Sequence, residues 1–158
     1  MTSGVQQSLS DHKKIRHRLL TLVDKMDAEQ LCAVPPFLNN HILWNVGHIV
    51  AVSDLLTFAL GGHPTPAKKD FIGRYRPGTK PVEGMEEDLP YIRSRLTTGS
   101  EELSEAYDSL DWSSFRPYTT QMGVEVSSID HAITFNNTHE ALHFGTMLAI
   151  RKWVVSRG

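Results

Sequence analysis

Apolar residues recur at spacings of three and four in four separate stretches of the chain, the mark of helices with one buried face. In the first stretch Leu9, Ile15, Leu19, Leu22, Val23 and Met26 form such a stripe. It predicts a helix over about Val5 to Glu29, closed off by Pro35 and Pro36. Asn39 or Asn40 is placed to N-cap a second helix over about Asn40 to Leu60, which Gly61 and Gly62 stop. The third stripe is Leu89, Ile92, Leu96, Leu103, Tyr107 and Leu110, over about Met85 to Trp112, with a kink expected at Gly99. The fourth runs from about Ser128 to Val155, and Arg151, Lys152 and Arg157 suit its negative C-terminal end. Four helices without a convincing sheet predict an all-α four-helix bundle.

Two segments break the periodicity. Gly61 to Gly84 holds four of the eight prolines and five of the eleven glycines. It reads as a long irregular loop, long enough to serve as a lid or as a crossover between helices 2 and 3. Ser113 to Ser127 is the second such segment. Within it Tyr118–Thr120 and Val124–Val126 are expected to form a small hairpin around Gly123. No repeat or low-complexity tract appears, and 158 residues suit a single domain over 1–158.

Composition narrows the function classes. A formal net charge of −2 argues against a nucleic-acid partner, which normally demands a basic excess. No uninterrupted apolar run reaches the ~18–20 residues of a bilayer span, so no membrane role is expected. Met1 to Ser10 lacks a signal pattern, and the lone Cys32 cannot form an internal disulfide, so a cytoplasmic location is expected. Cys32 has no activating neighbour in sequence and reads as inert packing.

The eight histidines carry the chemistry. At about 100° per residue, His139 and His143 share a face of the fourth helix with Ile129, Ala132, Asn136, Met147, Ile150 and Val154. On the second helix His48 lies on a stripe with His41, Trp44, Val52, Leu55 and Ala59. Gly47 beside it is helix-unfavourable and would let a neighbouring helix approach closely. Buried imidazoles need partners. One reading is three independent core histidines, each hydrogen-bonded. The other is one divalent metal, Zn, Ni, Fe, Cu or Mn, held by His48, His139 and His143 with coordination positions left open.

His139-Glu140-Ala141-Leu142-His143 also matches the H-E-x-x-H signature of zinc proteases. The downstream ligand such enzymes use is absent, because Phe144 to Gly158 holds no Asp, Glu or His. Glu140 then flanks the site, stands behind its ligands or lies on the surface. Asn136 and Asn45, each one turn from a candidate ligand, either orient a ring or make ordinary helix contacts. His41 is expected to be exposed at the helix start, and His12, His17, His63 and His131 to be surface residues. Trp44, Trp112 and Trp153 read as core or interface anchors. Lys68, Lys69, Arg74, Arg76 and Lys80 either form a solvated basic loop or draw an anionic substrate to the site.

Trp44-Asn45-Val46-Gly47-His48, followed much later by His139-x-x-x-His143-Phe144-Gly145, resembles the DinB-like superfamily of metal-binding four-helix bundles. That superfamily includes YfiT-like proteins described as metal-dependent hydrolases. The resemblance covers nearly the whole chain in helix order. It implies a divalent metal on His48, His139 and His143, and a homodimer. It also implies hydrolysis or transfer chemistry, in some relatives with a low-molecular-weight thiol as cofactor. The expectation is a metal-activated water or thiol acting on a small electrophilic substrate, with no catalytic side chain assigned. The alternative is a non-catalytic metal- or ligand-binding bundle.

Overall fold

The computed structural model describes residues 3–157. Met1, Thr2 and Gly158, the ends of the expected domain, lie outside the described residues. Four long helices form the frame: α1 (Ser3–Asp24), α3 (Ile42–Asp54), α5 (Leu89–Ser109) and α6 (Ile129–Val155). Two short ones, α2 (Ala28–Leu31) and α4 (Lys69–Tyr75), sit in the connections. α1 packs against α5 and α6, and α3 packs against the same two helices. The all-α expectation holds.

Local chemistry sets the boundaries. The first helix ends at Asp24, short of the expected Glu29. Asp27 restarts the chain as α2 through a capping box, accepting from Gln30 N at 2.8 Å while Gln30 Oε1 accepts from Asp27 N at 3.2 Å. The second helix is capped by His41, not by Asn39 or Asn40: its Nδ1 accepts from Trp44 N at 2.9 Å. Downstream, α3 runs into a π-helical turn, Leu55–Ala59. The third helix opens on a 3-10 turn, Met85–Asp88, and closes at Ser109, not Trp112. It runs through Gly99 as one helix, and a side chain there would meet Arg95 and Arg16. Ser128 caps α6 by accepting from His131 N at 3.2 Å.

The loop over 61–84 is less irregular than its prolines suggest, because α4 lies within it and buries Phe71 and Tyr75. A short helix gains most of its stability from packing, which loop composition does not show. The close approach foreseen at Gly47 is real, and its partner is α4: a Cβ at Gly47 would overlap the Tyr75 ring. In the second loop β1 (Tyr118–Thr119) pairs antiparallel with β2 (Glu125–Val126), and Gly123 supplies the positive φ of 77° that the turn needs.

Ile42–Ala59 has a mean hydropathy of 1.5 over 18 residues, so the chain does contain a helix of membrane-spanning length and apolarity. It is not an uninterrupted apolar run, because Asn45, His48, Ser53, Asp54 and Thr57 break it without lowering the average below that level. The segment is 89% buried within the bundle.

The interior is divided. One apolar cluster includes Leu19, Val23, Leu43, Ile49, Ile92 and Ile150. A second includes Val5, Leu9, Phe58, Leu103, Ile129 and Ile133. On every long helix the residues between the two sets are buried and polar: His12 and Arg16, Ser53 and Asp54, Arg95 and Ser100, Asn136 and Glu140.

Candidate metal centre

The cavity-facing side of α6 and the middle of α3 bring three imidazoles together. Ring centroids lie 4.6 Å apart for His139 and His143, 4.8 Å for His48 and His143, and 5.3 Å for His48 and His139. One nitrogen from each ring lies within 4.8 Å of the other two. Trp44 stacks on His48 at 4.7 Å with an interplanar angle of 15° and fixes its plane.

Hydrogen bonds decide which nitrogens are free. The Tyr75 carbonyl lies 2.8 Å from His48 Nδ1. A carbonyl only accepts, so Nδ1 carries the proton and Nε2 keeps its lone pair. The Tyr75 contact depends on the docking of α4 that Gly47 permits. His143 Nδ1 meets Asn45 Oδ1 at 2.8 Å, and Asn45 Nδ2 donates to the His41 carbonyl at 2.8 Å. The second bond orients the amide, so His143 Nδ1 must donate and its Nε2 is also free. His139 Nδ1 is buried without a hydrogen-bond partner.

All three rings are held neutral. Burial, then the neighbouring His48, pushes His139 down from 6.5 to about 4. Burial, then His139 and His48, pushes His143 down to about 3. Burial lowers His48 against the opposing pull of the Tyr75 carbonyl. Neutral imidazole is the ligating form, so the donor set suits a borderline divalent cation. A tetrahedral ion with bonds of ~2.1 Å needs nitrogens on the order of 3.4 Å apart.

The rings form part of the lining of a cavity of about 380 Å³. Trp44, Val52, Leu56, Phe135 and Leu142 supply apolar wall, and Pro77 and Gly78 of the long loop close one side. Thr79, next in the chain, accepts from Trp44 Nε1 at 3.2 Å and ties the loop to α3. The hairpin turn contributes Thr120, Gln121 and Met122. Among the described residues the lining contains no Asp, Glu, Lys or Arg.

Other expectations resolve against this geometry. Glu140 is neither beside the cavity nor on the surface. It is fully buried on the α1 side, where Arg16 donates to it at 2.7–3.0 Å, Asn136 donates at 2.7 Å and His12 Nε2 lies at 3.2 Å. Burial alone would raise its pKa, but Arg16 and His12 outweigh that and hold the carboxylate well below the usual range. The H-E-x-x-H glutamate is therefore not placed to act as a base in the cavity. Asn136 serves Glu140 and Ser53, whereas Asn45 does orient a candidate ligand.

His12, expected on the surface, is 1% exposed, and His41 is 4% exposed. Each is buried because it has a specific hydrogen-bonding role. The missed residues, His12 and Arg16, left a signal: with Leu9, Leu19, Val23 and Met26 they complete one three-four stripe. His17 is exposed, while His63 and His131 are half-buried. Arg74 is tied to Asp88, Lys68 sits over the Tyr91 ring, and none of the basic loop side chains lines the cavity. Burial, then Glu86, pushes the Cys32 thiol up, consistent with an inert side chain.

A helical bundle with three neutral imidazoles turned into a cavity defines a candidate metal-binding bundle. The DinB superfamily profile matches residues 12–147, most of the chain and both halves of the histidine cluster. The chain belongs to the DinB superfamily. No curated protein and no solved structure gives a significant match.

Proposed function

We propose that the chain holds one divalent cation on His48, His139 and His143 and acts on a small electrophilic substrate in the adjoining cavity. The observation that carries this reading is the convergence of three neutral imidazoles, two with Nδ1 already engaged by an acceptor. When bound, the cation supplies Lewis acidity that makes water or a small thiol nucleophilic near neutral pH.

The chain's own residues do the rest. Tyr75 and Asn45 hold the tautomers, Trp44 holds the plane of His48, and Val52, Leu56 and Phe135 give the cavity an apolar wall. Asn40, Thr120 and Gln121 offer neutral hydrogen-bonding groups to a substrate. With no carboxylate or amine in the lining, the cavity lacks an obvious general base. That observation favours the second reading, a metal- or ligand-binding module without turnover.

A homodimer through α6 belongs to the same proposal. Ala141, Leu142, Gly145, Leu148 and Ala149 are exposed on that helix without a charge among them. Beyond these, we propose a cytoplasmic protein.

The test is metal analysis of purified protein, expected at one ion per chain, followed by assays with esters, amides and thiol-reactive electrophiles. Metal without turnover would leave the second reading. No metal would remove both.

A further inference from the structure

We infer that the ligand of this cavity has an uncharged, largely apolar body, with only its reacting head facing the three imidazoles. The inference deepens the proposed function, and rests on it for the head alone; the body is read from the walls. Away from the histidines the cavity presents Val52, Leu56, Phe135, Leu142 and Met122. Along the deeper wall of Val52, Leu56 and Phe135 a charge on the ligand's body would leave water without a partner, which costs far more than burying a neutral group.

Among the described residues no charged side chain lines that wall, although Arg76 and Lys80 are exposed on the loop beside it. Glu140, next to His139 in sequence, is sealed on the other side of α6 by Arg16. Arg74 is held by Asp88, and the loop gives the wall only Pro77 and Gly78. Polar contacts remain available to an amide, ester or hydroxyl through Asn40, Thr120 and Gln121. A volume of about 380 Å³ is near the lower end for small-molecule sites and has room for about a dozen water-sized groups. A compact thiol or ester with an aromatic or branched body fits. A peptide-like thiol carrying free carboxylates does not.

Two probes of equal size and identical head decide the matter: 4-(mercaptomethyl)benzamide and 4-(mercaptomethyl)benzoate. Their dissociation constants are measured by isothermal titration calorimetry on the full chain, metal-loaded and after chelation. The amide is expected to bind at least about tenfold more tightly than the carboxylate in the chelated form. Met122 is 65% exposed at the hairpin turn, so Met122→Lys leaves the core untouched. It is expected to narrow the gap to about threefold or less by supplying a cation at the wall.

Equal binding, preference for the carboxylate, or no binding of either probe in both forms would overturn the inference. If only the loaded form binds, its ratio decides. Should the protein take up no metal while the amide preference persists, the metal reading fails and the inference about the walls stands.

Discussion

His139 and Glu140 are consecutive residues of α6 with opposite surroundings. His139 joins two other imidazoles at a cavity whose lining carries no charged side chain. Glu140 is wholly buried and receives Arg16, Asn136 and the His12 ring. On one side of the helix polarity is neutral and left partly unpartnered; on the other it is ionic and satisfied at the carboxylate. The difference separates two tasks of buried polar groups. Paired charges fix the packing of α1 on α6, because every misplacement strands an ion. Unpaired neutral donors keep coordination capacity for something that arrives from outside.

The comparison breaks most sharply at His143. His143→Ala is expected to abolish stoichiometric metal binding while leaving helical circular dichroism intact. Unchanged metal content would take His143 out of the site. The opposite pattern is expected at Glu140. Glu140→Gln removes the carboxylate that pairs directly with the buried Arg16 guanidinium, at a cost of about 3–5 kcal/mol. For a chain of this size that lowers Tm by on the order of 10 °C. Metal content should stay at one ion per chain, as read by elemental analysis. Loss of the ion would join the two sides of α6 into one site.

How much of this was legible in the chain follows from the same contrast. His139 and His143 were readable because two polar residues one turn apart interrupt an apolar stripe, and His48 because it repeats the interruption on another helix. The ionic layer used the same grammar, with His12 and Arg16 on the Leu9–Met26 stripe and Arg95 between Ile92 and Leu96. Charged side chains are usually solvated, so stripe position alone does not predict their burial without partners from other helices. Glu140, the partner of Arg16, is distant in sequence, and Arg95 reaches Asp54 of α3 at 3.7 Å besides pairing with Glu102 of its own helix. The helix α4 was hidden by flanking prolines, and with it the Tyr75 carbonyl that sets the tautomer of His48. The hairpin was visible through Gly123, but its contribution to the cavity wall was not.

A finer probe of the neutral side is Asn45. Asn45→Leu removes the acceptor that holds His143 Nδ1 and should weaken metal affinity about 10–100-fold, the usual worth of such a partner. Asn45→Asp keeps an acceptor oxygen and should recover most of the affinity. Competition with a chelator of known affinity reads both variants. If Asn45→Leu and wild type bind equally, the ring of His143 is held by packing alone.

The smallest expected effect lies at His41, whose carbonyl orients Asn45 and whose ring caps α3. Its Nδ1 must be unprotonated to accept from Trp44 N. Burial is the main reason its pKa falls from 6.5 to about 4. Between those values an unfolded chain takes up a proton that the folded chain refuses, so the stability from this residue is full above pH 6.5 and drains as pH falls toward 4. His41→Asn supplies an N-cap with no proton to gain. Denaturant unfolding at pH 7 should then differ little between variant and wild type. At pH 5 the variant should lose less stability than wild type, by on the order of 1 kcal/mol, the worth of a cap. His139 and His143 titrate in both proteins and cancel in the difference. An identical acid response would mean that the cap does not sense pH, and that acid acts on this side of the bundle through the three cavity imidazoles alone.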